Sequence, residues 1–197
     1  MIPIDYVVSL GHNCQTHFHI QRHNYNYEHG LPFNWSLSIN HDGLIKLLDN
    51  KFSYLYNTNW AGIHFHDCGF TFCHIPFEQF KETKLLDLLY RCVNNFLDPG
   101  FQQKNILFIR RVTYISQKHK QDIIQSLKNV GFSNFYLELC ADNDEKYNQY
   151  TDIDDIFYLN PNATHQGLNS WQGNYESWDK FFDYLLTKYQ IKEQHNV

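Results

Sequence analysis

Residues 105–139 read NILFIRRVTYISQKHKQDIIQSLKNVGFSNFYLEL, and this stretch decides the fold class. Asn105 to Ile109 is a short run of branched and aromatic side chains, as expected of a buried strand. Lys118 to Val130 then reads as a helix closed by Gly131, and Phe135 to Leu139 as the next strand. The alternation continues with a strand at Ile156 to Leu159 and a helix at Tyr175 to Lys188. Strands interleaved with helices of this length imply βαβ units, because a parallel neighbour is reached only through a crossover. The expected fold is therefore α/β, a mostly parallel central sheet flanked by helices in one three-layer domain spanning residues 1–197.

Working upstream, Tyr6 to Leu10 is a second buried-strand pattern ending at Gly11, with His12 and Asn13 as turn-tolerant residues beyond it. Cys14 to Arg22 follows as a helix, although Phe18 and Ile20 do not make a clean apolar stripe. Asn24 to Trp35 contains Gly30 and Pro32 and reads as a loop that returns Phe33 and Trp35 to the core. Ile39 to Leu48 has an apolar side made by Leu44, Ile45, Leu47 and Leu48, which predicts a helix. Phe52 to Phe77 is rich in aromatic residues and histidine without a helical period, so short strands or long loops are expected. Lys81 to Leu97 has leucines, Val93 and Phe96 at helical spacing, with Pro99-Gly100 as its stop.

Composition narrows the partners. The net charge of −5 with neutral histidine offers no global attraction to nucleic acid or an anionic membrane surface, so neither is expected as a partner. The first residues lack the basic and long apolar stretches of a secretory signal, and no apolar run approaches the roughly 20 residues that span a bilayer. A cytoplasmic protein is expected. Five cysteines, Cys14, Cys68, Cys73, Cys92 and Cys140, form an odd set without framework spacing, so reduced thiols are expected.

The candidate chemistry gathers where the first strand hands over to the first helix. In open α/β sheets, reactive groups collect beyond the carboxyl ends of the strands. A helix N-terminus presents unpaired N–H groups and partial positive charge, which favour a thiolate. Cys14 stands there, and N–H groups of Gly11, Asn13 or Cys14 could receive an oxyanion in acyl transfer. The competing interpretation of Cys14 is a small buried hydrophobe, which is what most free cysteines are.

Ser9-Leu10-Gly11-His12-Asn13-Cys14-Gln15, followed by Pro32-Phe33-Asn34-Trp35, resembles the family of papain-like cysteine peptidases termed domain of unknown function 1796. Phe72-Cys73-His74 is similar to that family's later Phe-x-His element, and Phe108-Ile109-Arg110 fits its following strand end. The resemblance implies a cysteine nucleophile at Cys14 and a histidine base at His74, and it makes a papain-like α+β arrangement the alternative fold. Two departures stand out. Asn34 occupies a position where the family usually has aspartate, and the helix after the Phe-x-His element is less basic than the family's, with Arg91 as its one arginine. An amide can still orient an imidazole, as in Cys-His-Asn arrangements.

His165 competes with His74 as the base, because it lies between the last strand and the last helix, where α/β hydrolytic folds often place it. The catalytic candidates are thus Cys14, His74, Asn34 and His165. Gly11, His12, Asn13, Trp35 and Arg110 are the substrate-binding candidates, with Arg110 and Arg111 weighed as a clamp for phosphate or carboxylate against a pair of surface charges. No metal site is expected: His64, His66, Asp67, Cys68, Cys73 and His74 cluster, but in no standard zinc spacing. Trp171, Gly173, Tyr175 and Trp178 read as core and capping residues rather than a sugar-stacking platform, and Asp142 to Asp155 as a solvated connection.

The residues predict a thiol-dependent acyl-transfer enzyme needing no cofactor, and the resemblance implies a hydrolase of the peptidase or amidase type. An acyltransferase modifying sugars in polysaccharide biosynthesis, with acetyl-coenzyme A or another acyl donor, is one alternative. A non-catalytic module holding a glycan or nucleotide sugar is the other. The expected partner is a small-molecule, glycan or peptide substrate, and no oligomeric state follows from the sequence.

Overall fold

A computed structural model describes residues 1–11, 15–27, 30–34, 36–37, 40–53, 64–65, 70–72, 82–112, 116–142, 156–159 and 173–194. Four strands, β2 (Tyr6–Ser9), β6 (Ile106–Val112), β7 (Phe135–Asp142) and β8 (Phe157–Leu159), form one sheet in the order β2-β6-β7-β8. Every pairing in it is parallel. The α/β expectation therefore holds, and the sheet has the parallel order that βαβ units build rather than that of an α+β fold. Two small sheets accompany it. β1 (Ile2–Ile4) pairs in parallel with β9 (Tyr189–Ile191), and β3 (Ser36–Leu37), β5 (Phe70–Phe72) and β4 (His64–Phe65) form an antiparallel set.

Alternation along β6 divides the apolar residues between two layers. Ile106, Phe108 and Val112 join a cluster with helix α2 (His41–Asp49), helix α3 (Glu82–Phe96) and helix α5 (Gln117–Val130). Leu107 and Ile109 join the opposite cluster with helix α1 (Gln15–Arg22) and helix α6 (Tyr175–Lys188). Val7 and Val8 on β2 split in the same way, as do Leu139 and Cys140 on β7. A strand covered on both faces must be apolar at every position, which is why residues 105–109 lack polar alternation.

The first layer is built from rings. Phe96 meets Phe33, Phe52, Phe108 and Phe132 at centroid distances of 5.6, 5.5, 6.3 and 4.9 Å, mostly edge to face. In the second layer Trp178, Phe181, Phe182 and Leu185 of α6 are buried against Ile20, Leu107 and Ile109. Glu138 is buried on this side of β7, where it accepts from the Tyr189 hydroxyl at 2.6 Å and from Lys188 Nζ at 3.1 Å.

The predicted elements fall close to their sequence positions, with one informative departure. Pro99-Gly100 does not simply end the preceding helix. Pro99–Gln102 forms a short helix of its own, α4, whose N-cap Asp98 accepts from Phe101 N–H at 2.8 Å. Asp-Pro supplies both a cap and a first-turn proline, so it starts a helix as readily as it stops one. Gln102 then turns its buried amide back onto the carbonyls of Phe96 and Val130, at 3.5 and 3.3 Å, serving the ends of two helices at once.

Trp178 is the core residue expected of it, and Asn174 is the N-cap of α6, while Trp171 lies outside the described residues. The polar connection expected up to Asp155 begins at the end of β7, and residues 143–155 also lie outside them. No described helix is long and apolar enough to cross a membrane.

Candidate functional site

The carboxyl end of β2 is the best-defined part of the candidate site. β2 pairs with β6 up to Ser9 and Ile109, and Leu10 extends the ladder with its N–H on the Ile109 carbonyl at 2.9 Å. Gly11 then leaves the sheet at φ 78°, in the left-handed region that a side chain disfavours. Its N–H donates to Ser9 Oγ at 3.2 Å, which closes a small turn at the strand end. That N–H is therefore already engaged.

β6 runs three residues beyond its pairing with β2, through Arg110, Arg111 and Val112. Arg110 is only 1% exposed, so it is not one of a pair of surface charges, whereas Arg111 is half-buried. Arg110 Nη1 donates to the Leu10 carbonyl at 2.6 Å. The guanidinium thus reaches across to the residue before the Gly11 turn. Burial pushes its pKa down to about 10, which still leaves it a cation at neutral pH.

Helix α1 starts at Gln15, so the chain passes from the Gly11 turn to a helix over residues 12–14. The stripe missing from α1 has a physical explanation. Its buried face carries Thr16, His17 and His19 alongside Ile20, and imidazole rings do the packing that leucines would do elsewhere. His19 stacks on Trp178 at 4.7 Å and 16° and meets Tyr175 edge-on at 5.4 Å. His17 meets Tyr27 edge-on at 5.3 Å.

Polar contacts fix α1 along α6. Arg22 Nε donates to His19 Nδ1 at 3.1 Å, its guanidinium lies 4.8 Å from the Tyr175 ring centre, and it pairs with Asp179. His23 Nε2 also meets Asp179, at 2.9 Å. Burial and the neighbouring Arg22 charge hold the His23 pKa below its ordinary value, with Asp179 opposing them. Burial pushes the Asp179 carboxyl up, but Arg22 and His23 more than offset this and leave it below the usual carboxylate range.

The start of α1 also meets the start of α6. Gln15 is buried, and a Cβ added to Gly173 would come within 2.7 Å of Gln15 Oε1. Gly173, at φ 71°, is immediately followed by the N-cap Asn174, whose side chain accepts from Ser177 N–H at 3.2 Å. Gln15 and Thr16 were not singled out by sequence reasoning. Thr16 is fully buried, and its hydroxyl has no partner among the described residues. Their polarity in a helix with no apolar stripe was the available signal.

Of the residues predicted from the sequence, Gly11, Asn34 and Arg110 lie within the described residues. Asn34 is buried, its N–H on the Leu31 carbonyl at 3.3 Å, next to Phe33 in the ring cluster. Cys14, His12, Asn13, Trp35, His74 and His165 lie outside the described residues. So do all members of the histidine and cysteine cluster except His64, whose strand β4 is described by its backbone. Among the described residues, no group of three side chains could hold a metal ion. Two thiols are described, Cys92 and Cys140, both buried, and burial pushes the Cys92 thiol up.

A family model described as "Putative papain-like cysteine peptidase (DUF1796)" matches residues 5–60. This is the family that the Ser-Leu-Gly opening and the Pro-Phe-Asn-Trp box resemble, and the match takes in both along with Cys14. It does not reach His74, Arg110 or His165. No curated protein and no solved structure matches the chain.

Proposed function

From the match over residues 5–60, we propose that the chain is a cysteine-dependent acyl-transfer enzyme of the hydrolase type, with Cys14 as its nucleophile. The observation that carries this reading is the geometry on either side of Cys14. A parallel strand ends in the positive-φ turn at Gly11, and a helix begins at Gln15. Active-site residues of α/β sheets come from this edge, and a helix start favours a thiolate.

In the proposed reaction the Cys14 thiolate attacks an acyl carbonyl carbon, the C–S bond forms, and the negative charge moves to the carbonyl oxygen. Because the Gly11 N–H is engaged by Ser9, the N–H groups of Asn13 and Cys14 are assigned to that oxyanion. The C–N or C–O bond to the leaving group then breaks, and a histidine that took the thiol proton returns it to the leaving group. His74 holds that role, with His165 as the second candidate, and Asn34 orients the ring. Water attacks the thioester and releases the acid. A sugar hydroxyl in place of water would give the transferase variant of the same chemistry.

The test uses two probes on the full chain. Iodoacetamide should alkylate Cys14 well before Cys92 and Cys140, whose thiols are buried. p-Nitrophenyl acetate should release a burst of nitrophenolate and leave an acetyl group on Cys14, detectable by mass spectrometry and absent in Cys14→Ser. If Cys14 titrates near the ordinary thiol value of about 8.5 and takes up no acetyl group, the catalytic reading is wrong.

A further inference from the structure

We propose that His23 and Asp179 form a proton-operated latch between α1 and α6: a neutral His23 lets Arg22 clamp the two helices together, and a protonated His23 takes Asp179 and releases that clamp. The inference is independent of the role given to Cys14. The two helices run side by side in the same direction. Gln15 lies by Gly173, His19 stacks on Trp178, and His23, just past the end of α1, meets Phe182 at 4.4 Å, so each turn of α1 is matched by a turn of α6. Rings fill this seam, and its charged contacts gather at Arg22, His23 and Asp179.

Arg22 serves four groups at once. Its Nε donates to His19 Nδ1 at 3.1 Å, its guanidinium lies 4.8 Å from the Tyr175 ring centre, and Nη2 pairs with Asp179 Oδ1 while lying 2.9 Å from His23 Nε2. Nη2 carries two hydrogens, so it can serve the carboxylate and a neutral imidazole nitrogen together. A proton on His23 Nε2 turns that acceptor into a donor and sets one cation against another. The same nitrogen stands 2.9 Å from Asp179 Oδ1, where a charged imidazole gains a charge-assisted hydrogen bond. Arg22, the longer side chain, gains more rotamer freedom by leaving, and its bond to His19 goes with it.

The other groups facing His23 leave this exchange intact. Asp183 of α6 adds negative charge that favours the protonated ring, as Asp179 does. Tyr25 stacks on His23 at 5.7 Å and 6°, and burial, with Asp183 and Glu193, pushes its phenol up to about 12, so it stays neutral throughout. Burial and the Arg22 charge outweigh the carboxylates and hold His23 below 6.5, which puts the release in mildly acid solution. His19 is the rival trigger, since a proton on its Nδ1 would also break the Arg22 bond.

The test follows the full chain by NMR from about pH 7.5 to about pH 5, reading the His19 and His23 ring nitrogens and the Arg22 Nε–H. The Arg22 Nε–H resonance should lie downfield at neutral pH and move upfield with the midpoint of His23. In His23→Gln, which keeps an acceptor but takes no proton, it should hold its neutral-pH position across the window. Movement in that variant would assign the release to His19 and overturn the latch. In Asp179→Asn the His23 midpoint should fall, because a carboxylate that favours the proton is gone, and an unchanged midpoint would equally overturn it. Where neither variant folds, the wild-type spectra decide: separate midpoints for Arg22 and His23 refute the latch, and a shared midpoint with His19 still neutral supports it.

Discussion

At the residue scale, His23 is the group whose protonation should tell most about the fold. Burial and Arg22 depress its pKa in the folded chain below the ordinary 6.5, so the unfolded chain binds the proton more readily. Stability linked to His23 is thus complete above that value and falls as the pH drops through the window beneath it. Asp179, also depressed, adds a loss of the same sign at lower pH, beneath the ordinary carboxylate value of 3.8. The Tm of wild type should fall between about pH 7 and about pH 5, and His23→Gln should flatten that fall. Equal slopes for the two proteins would show that His23 contributes nothing. None of this was legible in the sequence, because Asp179 and Phe182, which meet His23, lie almost 160 positions along the chain.

At the element scale, the helices were readable and their ends only partly so. Leucine and phenylalanine spacing located α2, α3, α5 and α6 to within a few residues, because one buried face demands that period. The caps were less visible. Ser116 accepts from His119 N–H while the His119 ring accepts from Ser116 N–H, a capping box in which histidine replaces the usual Glu or Gln. Asn174 caps α6 with its side chain buried. Replacing Ser116 or Asn174 by alanine should each cost about 1 kcal/mol, checked by urea unfolding. A change below about 0.3 kcal/mol at Asn174 would mean that the α6 end is held by its packing alone.

At the scale of the whole molecule, stability should be greatest along β6. It is paired on both sides, by β2 and β7, and covered by helices on both faces. β8 pairs with β7 over three residues, at the margin of the sheet. Amide hydrogen exchange should therefore be slowest at Ile106 to Ile109 and faster by orders of magnitude at Tyr158. Comparable protection at both places would argue against β6 as the centre of the fold.

Local patterns carried the strand and helix assignments, the parallel sheet and the position of Cys14 between strand and helix, since these depend on the period of apolar residues and on glycine at a strand end. The candidate site was legible only as residue types, of which Gly11 at the strand end, Asn34 and Arg110 lie within the described residues. Tertiary structure alone decided that Arg110 is buried and bonds the Leu10 carbonyl, that Gln15 fills the space beside Gly173, and that α1 packs through imidazole rings. Each of these joins residues about 100 to 160 positions apart, so the partner that defines a side chain's role lies outside any local window. Periodicity records which face of an element is buried, whereas the three-dimensional fold determines what that face meets.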